Sequence, residues 1–248
     1  MTELPPQRLA RWFRRARLEK QFLAALLLAA GSLWIFFELA DEVIEGGTHD
    51  LDAAMMMMLR APGDPADPLG PAWLEGAARD ITALGSFSVL TLLTLATIGY
   101  LLLSGKRLTA VVVLIAVVGG QALSNLLKLG FDRPRPDLVP HAVQVFGASF
   151  PSGHSMMAAV TYLTLGVLLA GIEARARMKL YFLAFALALA MLVGISRIYL
   201  GVHWPSDVVG GWTLGSAWAL TCWILMRWLQ RRGAVETPPA ETRIDQRS

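Results

Sequence analysis

Six apolar stretches constrain this sequence more than any other feature, because each is long enough to cross a lipid bilayer as a helix. They lie at about residues 20–40, 82–104, 108–128, 155–172, 179–197 and 206–229. A spanning helix needs roughly 20 residues that are mostly apolar. A water-soluble domain would also carry more charge than the 17% found here, where 55% of residues are hydrophobic. The sequence therefore predicts an all-α, polytopic membrane protein with six transmembrane helices.

The first apolar stretch follows a basic N-terminal segment, residues 1–19, and has two possible interpretations. A secretory signal peptide also places basic residues before an apolar run. Here the run continues to Leu39, which is longer than the apolar core of a cleaved signal. We therefore expect a retained first span, a six-span membrane domain over residues 20–230 and a polar, disordered tail over residues 231–248.

Lysine and arginine residues near the ends of the spans predict the orientation of the chain. With six spans, four basic regions fall on one side of the membrane. They are the N-terminal segment, Lys106 with Arg107, Arg175 with Arg177 and Lys179, and Arg227 with Arg231 and Arg232. This side is expected to be the cytoplasm, with both termini there, in a bacterial inner membrane. Topology explains these basic residues, so no nucleic-acid partner is expected.

The connection between the first two spans lies on the opposite side and is strongly acidic. Residues 50–60 and 71–81 are predicted to form two short interfacial helices, the second with Pro71 at a favourable first position. The Met55–Met58 run has two open interpretations. It either lines an entrance for acyl chains or provides flexible packing at the membrane interface, which is the commoner use of methionine.

The first of three polar clusters on this outer side contains Lys128 and the run Arg133-Pro134-Arg135-Pro136. Proline disfavours helix in the preceding residue, so this run is predicted to be extended. Side chains alternate along an extended chain, and Arg133 and Arg135 therefore point the same way without the pattern choosing between them. Cations on the outer side indicate an anion, which is either a bound ligand or a lipid headgroup.

The second cluster, Pro151-Ser152-Gly153-His154-Ser155, leads into the fourth span and is typical of a helix start. The unpaired N–H groups and partial positive charge of a helix N-terminus bind phosphate. Gly153 would allow the backbone to approach such a ligand closely. The alternative is a capped helix whose His154 merely faces headgroups.

The third cluster joins the fifth and sixth spans and contains Arg197, His203, Pro205 and Asp207. Pro205 suits the first turn of a helix, where the helix dipole also favours an ionised Asp207. A carboxylate beside one imidazole nitrogen fixes the tautomer and leaves the other nitrogen available as a nucleophile or base. A planar guanidinium such as that of Arg197 is suited to phosphate.

Together the three clusters supply cations, a helix N-terminus and two histidines, as phosphoryl transfer requires. The other two histidines, His49 and His141, are expected to be surface residues. The only cysteine, Cys222, lies in an apolar run and is expected to be a small packing residue.

The order and spacing of these residues resemble the three-part signature of the type-2 phosphatidic acid phosphatase family, which includes lipid phosphate phosphatases and soluble vanadium haloperoxidases. The resemblance implies no metal or other cofactor, and it favours Arg135 over Arg133. It also implies that His203 is the nucleophile, Asp207 its orienting partner and His154 the general acid. The implied phosphate-binding residues are Lys128, Arg135, Ser152, Gly153 and Arg197.

The expected function is therefore that of a membrane phosphatase that acts on a lipid in the bilayer, with undecaprenyl pyrophosphate as the first substrate hypothesis. Phosphatidylglycerol phosphate, phosphatidic acid and lipid A phosphates are alternatives, as is phosphotransfer to a second lipid. A transporter is disfavoured because transporter sites lie near the bilayer midplane, whereas here the polar groups gather at one boundary. A scaffold without catalysis would not need both histidines, and the soluble haloperoxidases do not share the apolar composition.

Overall fold

The computed structural model describes residues 6–141, 143 and 147–232, with side chains from Glu19 onward. This part of the chain forms eight helices and one two-stranded ribbon. The elements are α1 (Pro6–Glu45), α2 (His49–Met57), β1 (Arg60–Ala61), β2 (Asp64–Pro68), α3 (Ala72–Ala83), α4 (Phe87–Leu103), α5 (Arg107–Phe131), α6 (Gly153–Ile172), α7 (Ala176–Tyr199) and α8 (Pro205–Arg231). The disordered tail was predicted to begin at residue 231, but Arg231 still belongs to α8. Residues 233–248 lie outside the described residues.

Five of these helices are long and apolar enough to cross a membrane: α1 from Glu19 onward, α5, α6, α7 and α8. Helices α3 and α4 make a sixth span if the pair, which is bent by 47°, is counted as one. Helix α4 alone is about 26 Å long at 1.5 Å per residue, a little less than the hydrocarbon core of a bilayer. The prediction of an all-α polytopic membrane protein is confirmed.

The break between α3 and α4 has a local cause in Gly85 and Ser86. The Ser86 hydroxyl accepts a hydrogen bond from the amide of Val89, which caps the start of α4. A Cβ atom on Gly85 would lie 2.4 Å from a methyl group of Val193, so α7 passes too close for any side chain there. The sequence prediction placed a helix at 71–81 and a span at 82–104, and the break lies a few residues later.

The connection between α1 and α3 contains a ribbon that the sequence did not predict. Strands β1 and β2 pair antiparallel, with Arg60 opposite Pro68, and α2 ends at Met57 rather than at residue 60. Proline is unusual inside a strand, which hid β2 in the pattern. The ribbon is attached to α7 because the buried Arg60 side chain donates a 2.9 Å hydrogen bond to the carbonyl of Tyr199.

The Met55–Met58 run divides between packing and exposure. Met56 is fully buried in a cluster with Val139 and Trp204, so it anchors α2 to the start of α8. The other three methionines are exposed. The packing interpretation therefore holds for Met56. The three exposed methionines are compatible with both packing at the membrane interface and an entrance for acyl chains.

Glycines on α8 bring its first two turns against the start of α6. A Cβ atom on Gly211 would lie 2.6 Å from the carbonyl oxygen of Ser152, and one on Gly215 would lie 2.5 Å from that of Met156. Small residues allow such close contact between helices in membranes. The contact is reinforced by the Ser152 amide, which donates a 2.9 Å hydrogen bond to the carbonyl of Asp207. The beginnings of α6 and α8 are therefore held side by side.

We predict that Gly211→Ala lowers the melting temperature of the protein in detergent micelles, because the new methyl group must push α6 away from α8. Overpacking of this kind costs about 1–3 kcal/mol. Gly99→Ala is the matched control, since a Cβ atom on that α4 glycine meets no atom within 4 Å. Equal melting temperatures for the two variants would show that the α6–α8 contact is not close-packed.

Candidate active site

Four helix ends gather the polar residues that the sequence singled out. Helices α5 and α7 end at this site, and helices α6 and α8 begin there. Lys128 lies within electrostatic range of Arg135, Arg197 and Asp207. His154 lies within electrostatic range of Lys128, Arg135, Arg197 and His203. The structure therefore brings all of the predicted site residues together at one end of the helix bundle.

His203 is held in a fixed orientation by contacts to both ring nitrogens. The residue is 1% exposed and lies in the short connection between α7 and α8. Its Nδ1 is 3.3 Å from Oδ2 of Asp207, and its Nε2 is 3.2 Å from Nη1 of Arg135. A guanidinium has only donors, so Nε2 accepts this hydrogen bond and the ring proton belongs on Nδ1. The lone pair of Nε2 consequently faces the cationic side of the site.

The Asp207 carboxylate is fully buried, and its contacts fix both oxygens. Oδ2 accepts hydrogen bonds from the backbone amide of Trp204 at 2.9 Å and from the hydroxyl of Ser149, in addition to facing His203. Oδ1 accepts a 2.7 Å hydrogen bond from Arg133. The bond to Trp204 caps the start of α8, so one side chain serves both the helix and the imidazole.

Burial determines the protonation state of His203. Removal from water lowers the pKa of His203 from its ordinary value of 6.5 to about 4, and this effect outweighs the Asp207 carboxylate, which acts in the opposite direction. The imidazole is therefore neutral at neutral pH, as a nucleophile must be.

The N-terminus of α6 faces the ammonium group of Lys128. A Cβ atom on Gly153 would lie 3.6 Å from Lys128 Nζ, so a side chain there would fill the space in front of the helix. Among the described residues, the amides of Gly153 and His154 have no hydrogen-bond acceptor, as expected for the first turn of a helix. Two free amides beside a cation form a binding place for a phosphate oxygen.

Ser152 caps α6 and lies beside that binding place. Its hydroxyl oxygen accepts hydrogen bonds from the amide of Ser155 at 3.4 Å and from the hydroxyl of Ser155 at 2.9 Å. The backbone amide of Ser152 is already bonded to α8, so it is not available to a ligand. Any contact of Ser152 with phosphate must therefore come from its hydroxyl proton.

Arg197 and Arg135 supply two guanidinium groups. Arg197 is 4% exposed and donates a 3.1 Å hydrogen bond to the Thr82 hydroxyl, while its buried Nε has no partner among the described residues. A buried donor without a partner is costly, and an anionic ligand would satisfy it. Arg135 donates to the carbonyl oxygens of Gly147 at 3.0 Å and Val202 at 2.9 Å.

The choice between Arg133 and Arg135 agrees with the resemblance. Arg135 contacts Nε2 of His203, whereas Arg133 turns toward two carboxylates, those of Asp52 and Asp207. The sequence did not assign a role to Asp52, one of many acidic residues in its connection, or to Ser149, which bonds to Asp207. Only the fold reveals these partners, because they lie far from Asp207 in sequence.

The two remaining histidines are exposed, as predicted, but each makes a contact. His141 Nε2 lies 2.7 Å from the carbonyl oxygen of Pro136, and the His49 ring meets the Trp204 ring edge-on at 5.3 Å between centroids. Neither contact reaches the Asp207–His203 pair. Within the described residues, no three His, Cys, Asp or Glu side chains form a group that could hold a metal ion.

The PAP2 superfamily matches residues 107–231, which comprise helices α5 to α8 and therefore every predicted site residue. The chain belongs to the PAP2 superfamily. Phosphatidylglycerophosphatase B of Bacillus subtilis is 33% identical over 195 residues, which cover 78% of this chain and 87% of that protein. Undecaprenyl-diphosphatase of Sulfolobus acidocaldarius is 34% identical over 106 residues, which cover 41% of this chain and 46% of that protein.

The fold also matches a solved structure of this superfamily. The crystal structure of a transmembrane PAP2-type phosphatidylglycerolphosphate phosphatase from Bacillus subtilis superposes with a TM-score of 0.74 at 28% identity. The match covers 82% of this chain and 98% of that one. This PAP2 protein is therefore an integral membrane protein and a lipid phosphate hydrolase.

We predict that the His203 imidazole stays neutral as the pH falls from 7 to 5 and titrates with a midpoint near pH 4. The measurement is NMR of ¹⁵N-histidine-labelled protein in micelles, with the His203 signals assigned by their loss in His203→Gln. Asp207→Asn should lower the midpoint further, because it removes the charge that favours the imidazolium. A midpoint near 6.5, or a rise in Asp207→Asn, would contradict this explanation.

Proposed function

We propose that the protein removes the phosphate group of a membrane lipid through a phosphohistidine intermediate on His203. The observation that carries this proposal is the arrangement around that ring. Nδ1 is held by Asp207, and the unprotonated Nε2 faces the cations of the site. A neutral, oriented imidazole with its lone pair directed at an anion-binding place is what nucleophilic catalysis needs.

In the first step, the phosphate is bound by Lys128, Arg135, Arg197 and the free amides at the start of α6. Nε2 of His203 attacks phosphorus, and the bond from phosphorus to the leaving oxygen breaks. His154 takes up a proton beside the bound phosphate, whose negative charge favours the imidazolium, and donates that proton to the leaving oxygen. The cations stabilise the charge that develops on the phosphoryl oxygens, which is the main contribution a protein makes to this reaction.

In the second step, water attacks the phosphorus of the phosphohistidine. His154 is now neutral and accepts the proton of the water, while the P–N bond breaks and returns its electrons to Nε2. Inorganic phosphate leaves, and the site is restored. Throughout both steps Asp207 stabilises the positive charge that the His203 ring acquires while it carries the phosphoryl group. No step of the proposed reaction uses a metal ion.

The reaction is proposed to occur at the outer face of a bacterial inner membrane. All four site-forming helix ends lie at one end of the bundle, and the basic residues of the α4–α5 and α6–α7 connections lie at the other. Cytoplasmic connections are enriched in Lys and Arg, which supports a cytoplasmic location for the termini and an outer location for the site. A lipid headgroup in the outer leaflet would reach such a site without leaving the membrane.

Phosphatidylglycerol phosphate is the first substrate hypothesis that the comparisons support. The relative with that activity in its name matches over most of both chains, whereas the undecaprenyl-diphosphatase matches over less than half of each. The charge of the site is also suited to a single phosphate, because Arg133 is already neutralised by two carboxylates. Undecaprenyl pyrophosphate, which the sequence alone put first, is the second candidate.

We predict that His203→Gln lowers the rate of phosphate release from lipid substrate in micelles by about a thousandfold or more, as loss of a nucleophile commonly does. Glutamine keeps a polar side chain of similar size at a buried position. His141→Gln is the matched control, because His141 is exposed and outside the His203–Asp207 pair. Phosphate release by His203→Gln at the rate of His141→Gln would contradict the proposal.

We also predict that kcat/KM for phosphatidylglycerol phosphate exceeds that for undecaprenyl pyrophosphate by at least about tenfold, or 1.4 kcal/mol of transition-state stabilisation. Phosphatidic acid and a lipid A phosphate complete the panel, each presented in the same detergent. The reverse order for the first two substrates would replace the first hypothesis with the second. Equal values across the panel would show that the site selects the phosphate alone.

A further inference from the structure

Arg133 is the side chain that compensates the buried charge of Asp207. A buried carboxylate needs a counterion, and loss of that partner is strongly destabilising. The neutral ring of His203 cannot supply the charge in the resting enzyme. Arg133 Nη1 lies 2.7 Å from Asp207 Oδ1, and the Arg133 side chain is itself only 10% exposed. The catalytic pair proposed above therefore depends on a residue outside it.

Arg133 in turn is oriented by helix α2 and the turn before it. Its Nη2 donates a 2.8 Å hydrogen bond to Oδ2 of Asp52 and a 3.0 Å hydrogen bond to the hydroxyl of Thr48. Its Nη1 donates to the Ser206 hydroxyl at 2.7 Å as well as to Asp207. The guanidinium also lies 5.7 Å from the centre of the Trp204 ring, so both Nη groups and one face of the guanidinium are held.

Asp52 is built into this arrangement and is not a surface charge. It is 3% exposed, in the first turn of α2. Its Oδ1 accepts a 2.8 Å hydrogen bond from the backbone amide of Ser206, which lies in the first turn of α8 and has no acceptor within that helix. Its Oδ2 accepts a hydrogen bond from the Ser206 hydroxyl. One carboxylate thus caps α8 from another helix and holds the guanidinium that pairs with Asp207.

We propose that Asp52 and Arg133 form a positioning bridge from α2 to Asp207, which holds the Asp207 carboxylate against Nδ1 of His203. This proposal rests on the proposed function, in which Asp207 orients the nucleophile. Together with Asp207 the bridge has two carboxylates and one guanidinium, so the net charge of the three residues is −1. It therefore favours the cationic ring that forms when Nε2 takes the phosphoryl group. Neither Asp52 nor Arg133 touches the substrate, and both act through Asp207.

Asp52→Asn tests the bridge, because it keeps the shape of the side chain and removes its charge. We expect kcat for lipid phosphate in micelles to fall about tenfold, because a charge-assisted hydrogen bond that positions a catalytic group is weakened. The KM should stay within about twofold of the wild-type value. Asp50→Asn is the matched control on the same helix, since Asp50 is exposed. Equal kcat values for the two variants, or a change confined to KM, would overturn the proposal.

A double-mutant cycle separates positioning from a structural role. If Asp52 acts through Asp207, Asp52→Asn has no further effect on kcat in an Asp207→Asn background, whereas independent effects multiply. Multiplied effects would overturn the bridge.

Arg133→Lys provides a second variant in case Asp52→Asn folds poorly. The lysine ammonium keeps the positive charge but lacks the planar guanidinium that contacts both Asp52 and Asp207. We therefore expect a loss of kcat at least equal to that of Asp52→Asn. Wild-type kcat in Arg133→Lys would contradict the proposal.

The outcome for the bridge is distinguishable from the outcome for the proposed function. If His203→Gln is inactive and Asp52→Asn behaves like Asp50→Asn, the phosphohistidine reaction stands and only the bridge fails. If His203→Gln remains active, the proposed function fails whatever Asp52→Asn does. The melting temperature of each variant in micelles is measured in parallel, so that kcat refers to folded protein.

Discussion

A single buried carboxylate, that of Asp207, organises the site. Its side chain caps α8, contacts Nδ1 of His203 and pairs with Arg133. Its backbone carbonyl accepts a hydrogen bond from the amide of Ser152 at the start of α6. These bonds join the α7–α8 connection, Arg133 and the start of α6 to the same residue. A carboxylate without water must have all of its acceptor capacity used, so the surrounding segments are fixed relative to one another. The glycines of α8 allow this by letting α6 approach closely.

The cations of the site interact both with carboxylates and with one another. The charge of Arg133 is compensated by two carboxylates, those of Asp52 and Asp207. Lys128, Arg135 and Arg197 lie close enough for Lys128 and Arg135, Lys128 and Arg197, and Arg135 and Arg197 to repel one another. In the proposed reaction, a phosphate bound between them would relieve that repulsion.

The sequence predicted what depends on local patterns. Apolar length located the spans, and Pro151, Gly153 and Pro205 predicted that α6 and α8 start beside His154 and His203. Phosphate chemistry was predicted because the three polar clusters lie at the ends of spans, and a six-span topology puts those ends on one side of the membrane. The resemblance then chose Arg135 over Arg133, which agrees with the contact to His203.

What the sequence did not reveal depends on contacts between distant segments. Asp52 is one acidic residue among many in its connection, and its partner Ser206 lies 154 residues away. Ser149 looks like a loop residue, although it donates to Asp207. The short ribbon was missed because its second strand contains two prolines, Pro65 and Pro68. In each case the pattern within the segment carries no information about what packs against it.

The central claim is that the phosphoryl group is carried by Nε2 of His203, and the most direct test is to isolate that intermediate. The enzyme is mixed with lipid labelled with ³²P in the phosphate, quenched in alkali within a single turnover, digested and analysed by mass spectrometry. We expect label on the peptide that contains His203. This label should be absent from His203→Gln and should disappear when unlabelled substrate is added. Label on another residue, or label that persists in His203→Gln, would contradict the claim.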